Sequence, residues 1–145
     1  MCTVNVGVFS AKAYSVFWEK PAPRFAHEYD CVVRRRIGKL MEGGEDRWWT
    51  LSQPGDVKAV GEVLIRLLMS RGMPWLESIG SLQELHEALA SEKVTHSIYL
   101  AIVKAEMGDR LGAAALLDEG KGQRWEEGAQ RVREALHLDE VAVDR

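Results

Sequence analysis

The sequence predicts an α+β protein, a small antiparallel sheet of about three strands followed by about five helices. Three observations lead there. Apolar residues recur at a period of two in the first part of the chain. After Pro54 the period changes to 3.6. Glycine, proline and capping residues then punctuate the remainder at helix-length intervals. Strands first and helices after is the α+β order. With 145 residues the chain is long enough for one domain with a core of its own. We read residues 1–52 as mainly β, 53–138 as helical and 139–145 as a frayed tail.

Thr3-Val4-Asn5-Val6-Gly7-Val8-Phe9 alternates, with Val4, Val6 and Val8 on one face and Thr3, Asn5, Gly7 and Phe9 on the other. Pro21 and Pro23 make the stretch from Lys20 to Arg24 a connection. Tyr29 to Ile37 forms the second predicted strand, with Tyr29, Cys31 and Val33 sharing a face. Gly43-Gly44 marks a turn, and Arg47-Trp48-Trp49-Thr50-Leu51 forms the third strand.

Val57, Val60, Leu64, Leu67, Leu68 and Arg71 follow helical spacing with one buried stripe. Pro54 near the start and Gly72 past the end fit the asymmetry of helix termini, and Pro74 stops the helix. Ser81-Leu82-Gln83-Glu84 is a capping box opening a short helix with Leu82, Leu85, Ala88 and Leu89 inward. Three helices follow, near Thr95 to Met107, Arg110 to Glu119 and Gln123 to His137. Gly108 serves as the C′ residue of the first and Asp109 as the N-cap of the next. Gly120 and Gly122 separate the last two, and Trp125, Ala129, Val132 and Leu136 form the core stripe of the final helix.

A net charge of -3 argues against nucleic-acid binding, which calls for a basic domain. No apolar run reaches the roughly 18–20 residues of a membrane span, and the N-terminus lacks signal-peptide regions. Cys2 and Cys31 are too few for a disulfide scaffold, so they read as reduced thiols in a cytoplasmic protein.

Chemistry-bearing motifs are scarce. His27, His86, His96 and His137 lack metal-ligand spacing, and no cofactor motif is present. Cys31 has His27 four residues upstream, but on an extended strand that separation is about 13 Å. There is no nucleophile elbow and no phosphate-binding glycine loop. No catalytic residue is nominated, and the sequence reads against an enzyme. The candidate contact residues are Trp48 or Trp49, together with Arg34 and Arg36 in the basic run Arg34-Arg35-Arg36 with Lys39. Trp and Arg are the types whose removal most often weakens an interface. Adjacent strand residues point to opposite faces, so one indole enters the core and the other is left outside.

Val4-Asn5-Val6-Gly7-Val8-Phe9, Glu28-Tyr29-Asp30-Cys31-Val32-Val33-Arg34, Trp48-Trp49-Thr50-Leu51 and Met73-Pro74-Trp75-Leu76 together resemble the bacterial family called domain of unknown function 4304. The resemblance runs from about residue 3 to 90. It implies a bacterial α+β protein and offers no catalytic residues to carry over. Members of that family usually begin with a helix and one or two strands ahead of the segment matching Val4 to Phe9. Either the start has been lost or this chain leaves a sheet edge and part of its core uncovered, and such an edge suits strand pairing with a second copy or another protein.

The leading expectation is a cytoplasmic bacterial protein that acts by binding a protein partner or itself, a toxin-neutralising immunity protein being one form. The rival is a small-ligand binder or enzyme whose pocket lies between sheet and helices, lined by Tyr29, His27 and Arg35. A filled core with an exposed indole would favour the former, and a deep pocket with converging polar groups the latter.

Overall fold

The computed structural model describes residues 1–91, 97–119 and 125–139. His96, the glycines at 120 and 122, the first residues of the helices expected from 95 and 123, and the tail from 140 onward lie outside the described residues.

The α+β class holds. β1 (Asn5–Val8) pairs antiparallel with β2 (Val33–Arg36), setting Asn5 against Arg36, Val6 against Arg35, Gly7 against Arg34 and Val8 against Val33. These two strands make up the sheet among the described residues. The expected third strand shrinks to one bridge, in which the Cys2 N–H donates to Trp49 O at 2.8 Å and the Trp49 N–H to Cys2 O at 2.9 Å. Residues 45–48 and 50–53 are all exposed, so this arm has no buried alternating face to hold a longer ladder.

The second strand is also shorter than expected, because Glu28–Asp30 forms a 3-10 turn. His27 Nδ1 accepts the Tyr29 N–H at 3.4 Å, and the Asp30 carboxylate accepts the His27 N–H at 2.8 Å. Tyr29 is thereby turned outward while Val33 is buried, so the two do not share a face.

α1 (Ala11–Trp18) stands where the sequence suggested only strand and connection. Its Ala-Tyr-Ser-Val-Phe-Trp run has modest helix propensity. Ser10 offsets this by accepting the Ala13 N–H at 3.1 Å. Ala13, Tyr14 and Val16 are buried, and Phe17 packs on Tyr99 with ring centroids 5.3 Å apart.

The core is assembled around α5 (Ser97–Glu106), whose Ala101, Ile102 and Val103 are all fully buried. A helix buried on several sides is a central one. Around it stand α1, α4 (Leu82–Ser91), α6 (Arg110–Asp118) and α7 (Glu126–Ala135), with Val32 and Val33 closing the sheet side. The capping box at Ser81 is formed, since Ser81 Oγ accepts the Glu84 N–H at 3.2 Å and Glu84 accepts the Gly80 N–H at 3.0 Å. The Ser81 hydroxyl, donating to Glu84 Oε2 at 2.8 Å, and next the Gly80 N–H hold the Glu84 carboxyl below its ordinary value. Leu85 and Leu89 point inward as expected, but Leu82 is exposed, lying in the first turn outside the contact. Gly108 adopts φ +90°, and Asp109 caps α6 by accepting the Gly112 N–H at 2.9 Å. Arg133 ties α7 to α6 through the Asp118 carboxylate at 2.6 Å.

α2 (Pro54–Leu67) departs most from expectation. None of its residues is buried, so the stripe from Val57 to Leu68 is at best partly covered. Nor does the helix stop at Gly72. It passes through a π turn (Leu68–Gly72) into α3 (Met73–Glu77), with Pro74 in the first turn of α3. Gly72 is helical here and serves close packing. A Cβ on it would meet Leu68 Cδ1 at 2.9 Å, Ile37 Cδ1 at 3.2 Å and Val6 Cγ1 at 3.3 Å.

Candidate functional site

Residues directly opposed in an antiparallel pair project to the same side. Val6 and Val33 are buried, which makes theirs the inner face. Asn5 with Arg36, and Gly7 with Arg34, therefore occupy the outer face. The opposing glycine leaves Arg34 without a cross-strand side chain. It is also obligatory for packing, since a Cβ at Gly7 would lie 2.8 Å from Cys31 Sγ.

Two flanking segments turn this face into a cleft. The 3-10 turn brings Tyr29 beside β2, where the Arg34 guanidinium lies 5.0 Å from its ring centroid. His27 stacks on the Tyr29 ring with centroids 5.0 Å apart. On the far side the arm after Gly43-Gly44, whose φ angles are +88° and +60°, returns along the sheet and places Trp48 under Arg36, 4.8 Å from guanidinium to ring. Arg36 also donates to Asp46, and Asn5 donates its amide to the Glu28 carboxylate. The arm is seated by Gly38, which lies against the backbone of Glu45 and Arg47.

The cleft measures about 480 Å³ and is lined by Thr3, Asn5, Glu28, Tyr29, Arg34, Arg35, Arg36 and Trp48. A smaller hollow of about 350 Å³ alongside adds Lys39 and Asp46. Trp48 is 46% exposed and Tyr29 70%. Trp49 is half-buried, pinned by its bridge to Cys2, with Arg47 over its ring at 5.6 Å. Of the four nominated contact residues, Arg34, Arg36 and Trp48 thus line one cleft and Trp49 does not. Tyr29, Asn5 and Glu28 were not nominated for it. Their signal was the β1 alternation, which places Asn5 on the polar face, but the turn that delivers Tyr29 and Glu28 depends on the reciprocal His27–Asp30 bonds.

The chemistry of the cleft is that of contact. Among the described residues none of the helical half lines it, and no polar or charged side chain is buried between sheet and helices. Arg35, on the inner side of β2, reaches the sheet margin beside Trp75 at 5.8 Å. Between sheet and helices, where the rival reading placed a pocket, the described residues pack apolar side chains such as Val16, Val32 and Val33. His27 and Cys31 lie on a turn, with Cys31 Sγ 3.8 Å from the His27 carbonyl oxygen. Burial, and next the nearby Asp30 carboxylate, push the Cys31 thiol above its ordinary value, the reverse of nucleophile activation. Among the described residues no group of three or more His, Cys, Asp or Glu is placed to hold a metal ion. Among the described residues no helix is long and apolar enough to cross a membrane.

In comparison with known families, the family described as domain of unknown function (DUF4304) matches residues 1–78. That span contains β1, α1, β2, the arm bearing Trp48, α2 and α3, and so the whole cleft. No curated protein and no solved structure matches the chain.

Proposed function

This chain belongs to the domain of unknown function DUF4304 family, and within it we propose that the protein is a bacterial, cytoplasmic binding module that engages a protein partner through the outer face of the β1–β2 sheet. One observation carries this reading. Trp48 and Tyr29, both exposed, are each stacked by an arginine across a single open cleft. Exposed Trp, Tyr and Arg held in fixed orientation are the usual anchors of interfaces, because they offer large contact area at little further cost in side-chain freedom. The local charge favours an acidic contact surface, since Arg34, Arg35, Arg36 and Lys39 outnumber Asp46 and Glu28. Neutralising a toxin, as an immunity protein does, is the specific form of this reading and rests on the small, acidic, site-poor character of the chain.

The test is affinity capture from native lysate with the wild type, Trp48→Ala and Trp49→Ala, followed by titration of the purified partner. A stoichiometric partner should bind the wild type and Trp49→Ala. Trp48→Ala should weaken it by about 2 kcal/mol or more, roughly thirtyfold. Equal binding by both variants, or no partner at all, would overturn the proposal.

A further inference from the structure

α2 presents a second surface, separate from the cleft. Val57, Gly61 and Ile65 follow one another at four-residue intervals, and Met69 continues the row. Val57, Ile65 and Met69 are 60%, 64% and 63% exposed. A Cβ placed on Gly61 would find no atom within 4 Å, so the middle of the row opens on empty space. Lys58 and Glu62 form the adjacent row on the solvent side, both exposed. A glycine inside a helix costs about 1 kcal/mol relative to alanine. Here it makes a shallow notch between two branched apolar side chains.

The geometry points to a second copy of this chain as the occupant, docked α2 against α2 in antiparallel orientation with Gly61 at the crossing. Rows of i and i+4 residues on two helices interdigitate at an angle near -50°, and a small residue at the crossing lets the axes approach to about 8 Å. Centring the two-fold axis on Gly61 sets Val57 of each helix beside Ile65 of the other. The same register brings Lys58 within two residues of direct opposition to Glu62 of the second copy, an axial offset of about 3 Å. The contact is therefore self-complementary in charge as well as shape, as a closed two-fold interface requires. It leaves the cleft free to bind a partner.

Sedimentation equilibrium on the full chain, across roughly 1–100 µM, tests this with a charge swap. The wild type should dimerise. Lys58→Glu alone and Glu62→Lys alone should each be folded by circular dichroism and dimerise at least about tenfold more weakly, through like-charge opposition. Mixing the two variants should restore a dimer at wild-type strength, since each altered charge then faces its opposite. A wild type that stays monomeric overturns the inference. So do single variants that dimerise as the wild type does, or a mixture that stays dissociated. Trp48→Ala should leave this dimer intact, which separates it from the cleft.

Discussion

Gly38→Ala tests how the cleft is built. Gly38 is buried in the 3-10 turn that follows β2 (Ile37–Leu40), pressed against the returning arm. A Cβ there would lie 2.6 Å from the Arg47 backbone N and 2.8 Å from the Glu45 carbonyl oxygen. Ordinary contact begins near 3.4 Å, so about 0.8 Å must be found, and both obstacles are backbone atoms that no rotamer change can move. Overpacking of this kind costs about 1–3 kcal/mol. Reduced freedom of the unfolded chain returns about 0.4–1 kcal/mol. The net loss should be about 1–2 kcal/mol, lowering the melting midpoint by roughly 3–6 °C. The displaced arm carries Asp46 and Trp48 away from Arg36. The Arg47–Trp48 peptide bond, otherwise held by the Thr3 contact to Arg47 O and the Cys2–Trp49 bridge, should become more sensitive to trypsin. Gly55→Ala is the control, because a Cβ there meets nothing within 4 Å, and it should be neutral or slightly stabilising. An unchanged midpoint together with unchanged cleavage after Arg47 would refute the idea that Gly38 seats the arm.

Two further outcomes are expected. Glu19 ends α1 in the left-handed region at φ 52°, where a Cβ is unfavourable. Glu19→Gly should therefore stabilise the protein by up to about 1 kcal/mol, read as a rise in chemical-denaturation midpoint. Glu106 keeps Oε1 buried without a hydrogen-bond partner, and burial raises its carboxyl above the ordinary 4.5. A raised folded value gives stability that is present below pH 4.5 and lost as pH climbs through that value. Glu106→Gln cannot ionise, so its melting point should gain on the wild type between pH 4 and pH 7. A gap that narrows with rising pH would contradict this.

Much of the helical half was legible in the sequence because its signals are local. The Ser81–Glu84 box, Gly108 with Asp109, and the Ala129–Val132 spacing each depend on residues within a turn or two, and each stands where the sequence put it. The polar alternation of β1 likewise placed Asn5 on the outer face, and the nominated Arg34, Arg36 and Trp48 do meet there. What the sequence could not decide depended on distant neighbours. α1 is helical although its aromatic and β-branched residues favour a strand, because Ala13 and Val16 are buried in the core around α5. The third strand is reduced to one bridge because residues 45–48 and 50–53 are exposed, which gives the arm no buried alternating face. Which indole lies open was fixed by the Cys2–Trp49 pair, and Val32, Val33 and Ile37 are packed in the core on the side where the rival reading placed a pocket. Periodicity within a segment reports which residues could share a face. Whether that face is buried, bridged or left bare is decided by the segments that arrive against it, and no local pattern encodes their arrival.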